Sequence, residues 1–221
     1  LPVQVYQKLG DGTLDILDRS FLSESELSHE EQAAVKKQFY SLVRKIDVEQ
    51  YRFELHFRKM GKFPNAFALP SGDIVVTDQL VNMSSNPEEL NAVLIHEIGH
   101  IIERHSVQQI IHASAISVMA TVILGDVSAI SNLAIALPGF IIESSYSREH
   151  ESEADDFALK TMIRLNKDPV HFANIMQKFL AFENTGKVDA DSKSSVGQYF
   201  STHPTTEQRI DRARALSESI N

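Results

Sequence analysis

The sequence contains no cysteine. That absence removes disulfide frameworks, thiolate zinc sites and cysteine nucleophiles together, so any bound metal must be held by His, Asp or Glu. It leaves the compartment open, because oxidising and reducing locations both tolerate such a chain. Positive charge is also scarce: 21 Lys and Arg stand against 30 Asp and Glu, for a net charge of −9. Nucleic acids and anionic membrane surfaces both need a basic footprint, so electrostatics names neither as a partner. Glycine is sparse, with nine in 221 residues, while 43% of the chain is hydrophobic. This is the profile of a folded protein with a substantial core.

No internal repeat is visible, and no run of about 20 apolar residues, the length of a bilayer span, goes unbroken. The most apolar stretch, residues 110–142, is interrupted at Gly125-Asp126 and Pro138-Gly139 and carries His112, Ser114, Ser117 and Asn132. Two buried helices forming a hairpin are the favoured reading. Membrane association, or an apolar gate over a cleft, is the other. The chain opens at Leu1 without the pattern of a signal peptide, as expected of a processed or a trimmed form, from which a leader or anchor could have been removed.

What is present alternates helix and strand signals. Ser28 and Glu31 form a capping box, and Val35, Phe39, Leu42, Val43 and Ile46 follow at helical spacing. "YRFELHFRKM" (51–60) alternates apolar and polar residues, as a half-buried strand does. "NAFALPSGDIVVT" (65–77) reads as a hairpin turning at Pro70-Ser71-Gly72-Asp73. Asn86, Pro87, Glu88 and Glu89 mark a strong helix start, and that helix is expected to run well past residue 100. Further helices are expected near 145–165, 169–183 and 205–219, with a polar loop over 183–198.

Within the helix begun at Pro87 lies "HEIGHIIERH" (96–105). His96 and His100 are four apart, so both imidazoles leave one helix face and can bind one zinc ion. Glu97 lies beside them, placed to take a proton from a water that the metal polarises. The pattern arises often enough by chance to be only suggestive alone. A catalytic site also needs a third ligand. "SREHESEADDFA" (147–158) offers Glu149, Glu151 and Glu153, and spacing does not choose among them. Such an acidic run is otherwise a solvated helix face. His105 reads as structural or as a support behind a ligand.

"HEIGH", "SREHESEAD" and "THPTTEQRI", with "NAFALPSGDIVVT" before them, resemble in order the zinc metallopeptidases that include the CAAX prenyl protease, HtpX, BepA and the Oma-type peptidases. The likeness spans residues 65–212. It implies that Glu151 is the third zinc ligand, that Asp155 orients a ligand histidine, and that Arg209 pairs with a carboxylate of the site. It also implies that His203 lies near the metal, either stabilising an oxyanion or closing the open position in a resting state. Asn65, Ala66 and Phe67 then supply a strand edge on which an extended peptide can pair, and Tyr199 is a further candidate donor.

The expected fold is α+β, mostly helical, with a small antiparallel sheet beside the motif helix. Residues 1–50 are read as an N-terminal extension and helix packed on the core, and 51–221 as the metallopeptidase domain, together one structural unit. The expected activity is zinc-dependent endoproteolysis with one zinc per chain. Its substrates are proteins or peptides, in quality control of a bacterial cell envelope, periplasmic or membrane-associated. The competing reading is a latent, chaperone-like metal protein whose zinc is closed by His203.

Overall fold

The computed structural model describes residues 12–46, 48, 50–112, 114, 145–186, 203, 204 and 206–220. The chain forms α1 (Thr13–Ser20), β1 (Ser23–Glu24), α2 (His29–Ile46), β2 (Glu54–Lys59), β3 (Ala66–Ala68), β4 (Asp73–Thr77) and α3 (Asp78–Met83). It continues with α4 (Pro87–Ile102), α5 (Arg148–Arg164), α6 (Val170–Gly186) and α7 (Glu207–Ile220). Residues 105–112 form a further helical segment. The α+β class holds. Among the described residues, no helix is long and apolar enough to cross a membrane, and the stretch 110–142 lies largely outside them.

Local signals account for the element starts. The Ser28 backbone N–H donates to Glu31 Oε2 at 2.8 Å and the Glu31 N–H returns to Ser28 Oγ at 3.2 Å, closing the reciprocal cap on α2. Asn86 Oδ1 accepts from the Glu88 and Glu89 N–H groups at 2.9 and 3.1 Å, satisfying donors that α4 otherwise leaves open.

The sheet order is β1-β2-β4-β3, and here the expected antiparallel sheet needs correction. β3 and β4 do form the antiparallel hairpin, but β2 and β4 run parallel, with Leu55 opposite Ile74 and Phe57 opposite Val76. The chain leaves β2, makes the outer strand β3, then returns to insert β4 between the two. Because β3 runs opposite to β2, its antiparallel partner β4 runs with β2. The hairpin turn depends on Gly72, whose φ is +95°, because a Cβ there would lie 1.9 Å from the Arg52 carbonyl oxygen.

Helix α4 is the axis of the molecule. Residues 89–101 are all buried, and the helix packs against α5, α6, β3 and α2. A helix covered all round has no solvent face to keep polar. Phe39, Phe172 and Phe179 are fully buried in the surrounding core, each contributing about 2–3 kcal/mol. Lys178 on α6 ties this core to the start of α4, with Nζ 2.5 Å from Glu89 Oε2. The polar groups inside this apolar shell are therefore the ones that need explaining.

Candidate metal centre

Three elements bring the predicted residues together. Helix α4 supplies His96, Glu97 and His100. Helix α5, capped by Ser147 Oγ accepting from the His150 N–H at 3.1 Å, supplies Glu151 and Asp155 one turn apart on one face. His203 and Arg209 arrive with the segment that leads into α7. His96, Glu97, His100 and His203 have no solvent exposure, and Glu151 and Asp155 keep 3% and 2%.

His96 Nε2 lies 3.0 Å from His100 Nε2 and 3.4 Å from His203 Nδ1. Glu151 Oε1 lies 3.4 Å from His100 Nε2 and 3.0 Å from His203 Nδ1. Around a tetrahedral ion with bonds of about 2.0–2.1 Å, ligand atoms sit about 3.3 Å apart. One donor atom from each of the four residues shares this small volume, all within 4.8 Å of one another.

Their protons make the case for a cation. His96 Nδ1 faces Asp155 Oδ1 at 3.0 Å, which holds the ring proton on Nδ1 and leaves Nε2 as a bare lone pair. Asp155 is itself gripped by Arg209, whose Nε and a terminal nitrogen each donate at 2.7 Å. The other terminal nitrogen reaches Glu151 Oε2 at 2.7 Å, so one Glu151 oxygen is neutralised while the other faces the histidines. Lone pairs converging without solvent repel unless a cation sits among them. The residues present fit a metal.

The electrostatics follow the burial. Burial pushes the Glu97 carboxyl above its usual range, opposed in part by His203 and His96. Burial also drives His100 well below the ordinary histidine value. For Glu151 burial acts upward, but His203, His100 and Arg209 together hold it well below the carboxylate range. Burial likewise opposes ionisation of Asp155, yet Arg209 and His96 keep it low. Both Glu97 oxygens are buried without a hydrogen-bond partner among the described residues, and His203 Nε2 stands 3.6 Å from Glu97 Oε1.

The remaining predicted residues fall as follows. Asn65, Ala66 and Phe67 are buried at the start of β3, the edge strand, which packs against α4. The three acidic candidates separate: Glu151 joins the cluster, Glu149 is exposed, and Glu153 turns to His105 Nε2 at 2.8 Å. Glu103 is exposed and outside the cluster. Tyr199 and most of the polar loop 183–198 lie outside the described residues. The motif helix ends at Ile102 rather than running on, because Arg104 takes a left-handed φ of 64°. Sequence reasoning missed Tyr146, whose ring stacks on His100 with centroids 4.0 Å apart and whose hydroxyl meets Ser106 Oγ at 2.7 Å. A lone tyrosine before a helix cap carries no signal that would have found it.

Comparison with known proteins agrees with this geometry. Residues 29–217 match peptidase family M48. The chain is 31% identical over 160 residues to the mitochondrial metalloendopeptidase OMA1 of Schizosaccharomyces pombe, covering 72% of this chain and 45% of that protein. It is 29% identical over 159 residues to the metalloprotease LoiP of Escherichia coli, covering 70% and 59%. Against the beta-barrel assembly-enhancing protease of Escherichia coli it is 27% identical over 161 residues, covering 68% and 31%. The chain thus spans less than two thirds of the length of each of these relatives.

Proposed function

The chain belongs to peptidase family M48, and on that footing we propose that it is a zinc-dependent endopeptidase. The observation that carries this reading is the buried set His96, His100, Glu151 and His203 with Glu97 beside it. A nitrogen-rich, sulfur-free donor set of this size suits zinc.

In this reading His96, His100 and Glu151 hold one zinc ion. Bound there, zinc supplies Lewis acidity toward a water and the scissile carbonyl. Glu97 takes the proton of the attacking water. Glu97 then carries that proton to the leaving amine. Asp155, locked by Arg209, keeps the His96 ring in place. Asn65, Ala66 and Phe67 align an extended peptide along the edge of β3, with main-chain hydrogen bonds supplying affinity. Arg209 keeps Glu151 ionised, so the ligand set carries one negative charge.

Protein substrates in quality control of the cell envelope are proposed on the name of one relative, the beta-barrel assembly-enhancing protease of Escherichia coli. An envelope location in a bacterium is proposed on the same support. A second reading also has an observation in its favour. His203 Nδ1 stands among the donor atoms, as it would in a latent protein whose fourth zinc position is closed.

The test is Glu97→Gln in the zinc-loaded protein. It should retain zinc and lose cleavage of casein by about a thousandfold or more, the scale on which removing a proton-transfer group acts. Undiminished cleavage in that variant would sink the proposed mechanism.

A further inference from the structure

Residues five apart on an unbroken helix point about 140° away from each other, so His100 and His105 should not meet. They do. His100 Nδ1 and His105 Nδ1 are 2.8 Å apart. The break in the helix brings this about. The Glu103 N–H closes onto the Gly99 carbonyl at 2.9 Å, the Arg104 N–H closes onto the Ile101 carbonyl at 3.1 Å, and Arg104 turns left-handed. That conformation is unfavourable for a side chain with a Cβ, and it is kept where the surroundings enforce it. The chain resumes as helix at residue 105, turned so that its histidine faces back along α4.

Two ring nitrogens this close need one proton between them. The other end of the chain of contacts decides whose it is. His105 Nε2 lies 2.8 Å from Glu153 Oε2, and an ionised carboxylate only accepts. His105 therefore carries its proton on Nε2, its Nδ1 is a lone pair, and the shared proton belongs to His100 Nδ1. His100 Nε2 is thereby bare, and it is the atom that faces the cluster. The His105 ring is fully buried and stacks on His150 with centroids 4.3 Å apart and planes 17° from parallel, which prevents it from swinging away.

We propose that His105 and Glu153 are positioning residues that lock His100 in its metal-binding tautomer. They do for His100 what Asp155 and Arg209 do for His96, through an imidazole rather than directly. Glu153, one of the two acidic candidates left out of the donor set, thus has a role behind it. This inference rests on the zinc reading of the site.

The experiment measures zinc affinity by competition with a chelating dye, alongside thermal melts of the metal-free proteins. His105→Leu removes the acceptor, and His105→Asn restores an oxygen near the place of Nδ1. Glu153→Ala removes the carboxylate at a half-exposed position. His105→Leu should weaken zinc binding by about tenfold to a hundredfold, as loss of such outer partners does. His105→Asn should recover most of it, and Glu153→Ala should lose severalfold, with metal-free melts little changed. The proposal is overturned if His105→Leu binds zinc within about twofold of the unsubstituted protein, or if His105→Asn binds no better than His105→Leu. Should His105→Leu not fold, Glu153→Ala decides alone, and unchanged affinity there overturns it. If the unsubstituted protein binds no zinc, the metal reading itself has failed instead.

Discussion

Glu149, Glu151 and Glu153 stand at alternate positions of one helix, and the pitch of that helix turns Glu151 away from the other two. Glu151 is 3% exposed and meets His100 and His203, Glu153 turns to His105, and Glu149 faces solvent. Two residues of spacing rotate a side chain by about 200°, so neighbouring carboxylates cannot share one site. Glu151→Gln should therefore lose zinc by elemental analysis of the dialysed protein, while Glu149→Gln keeps a full equivalent. Zinc retained in the first variant and lost in the second would mean the ligand had been misassigned. Local spacing could not choose among these three glutamates. The choice needed the family likeness in sequence, and in space it needed His203 and Arg209, more than 50 residues farther along.

At the scale of elements, the site depends on how closely α4 and α5 approach. Gly99 faces α5, and a Cβ on it would lie 3.2 Å from Ala154 Cα and 3.3 Å from the Ala154 carbonyl oxygen. Both are backbone atoms, so α5 has to give way by a few tenths of an ångström. Ala154 lies between Glu151 and Asp155, and such a shift carries both carboxylates away from the histidines. Replacing glycine by alanine inside a helix gains about 1 kcal/mol of propensity, but overpacking a tight contact costs about 1–3 kcal/mol. Gly99→Ala should be destabilised by about 1 kcal/mol on balance and should bind zinc more weakly. A denaturant melt and a zinc titration check both, and a more stable variant with unchanged affinity would contradict the prediction. The longer elements were legible in the sequence, while α1, β1 and α3 were not. The caps at Ser28 and Asn86 and the alternation of β2 are local signals, read within a few residues. The parallel pairing of β2 with β4 was not legible, because the order of strands depends on contacts between segments that a local pattern does not encode. The stop after Ile102 was hidden too, since Arg104 carries none of the usual signs of a left-handed residue.

For the whole molecule, the question is whether the centre rests open or closed. Its donors come from α4, α5 and the segment before α7, so a metal held by them joins parts of the chain as far apart as His96 and His203. Every donor is buried, and so are Asn65, Ala66 and Phe67 on the edge of β3. A substrate can reach neither Glu97 nor that edge in this arrangement. In the proposed site His203 is the donor whose removal would leave a complete catalytic set, since His96, His100 and Glu151 would still supply three ligands. It also stands 3.6 Å from Glu97 Oε1, near the space a water activated by Glu97 would need. If His203 closes the site, His203→Ala should keep one zinc per chain and cleave casein severalfold faster than the unsubstituted protein. If His203 instead steadies the oxyanion, the same variant should keep zinc and slow by about a hundredfold or more, as loss of such a donor does elsewhere. The observed placement of Nδ1 among the donor atoms favours the first outcome. A fall in rate would assign His203 to the reaction and leave the burial of the site to be relieved by movement elsewhere.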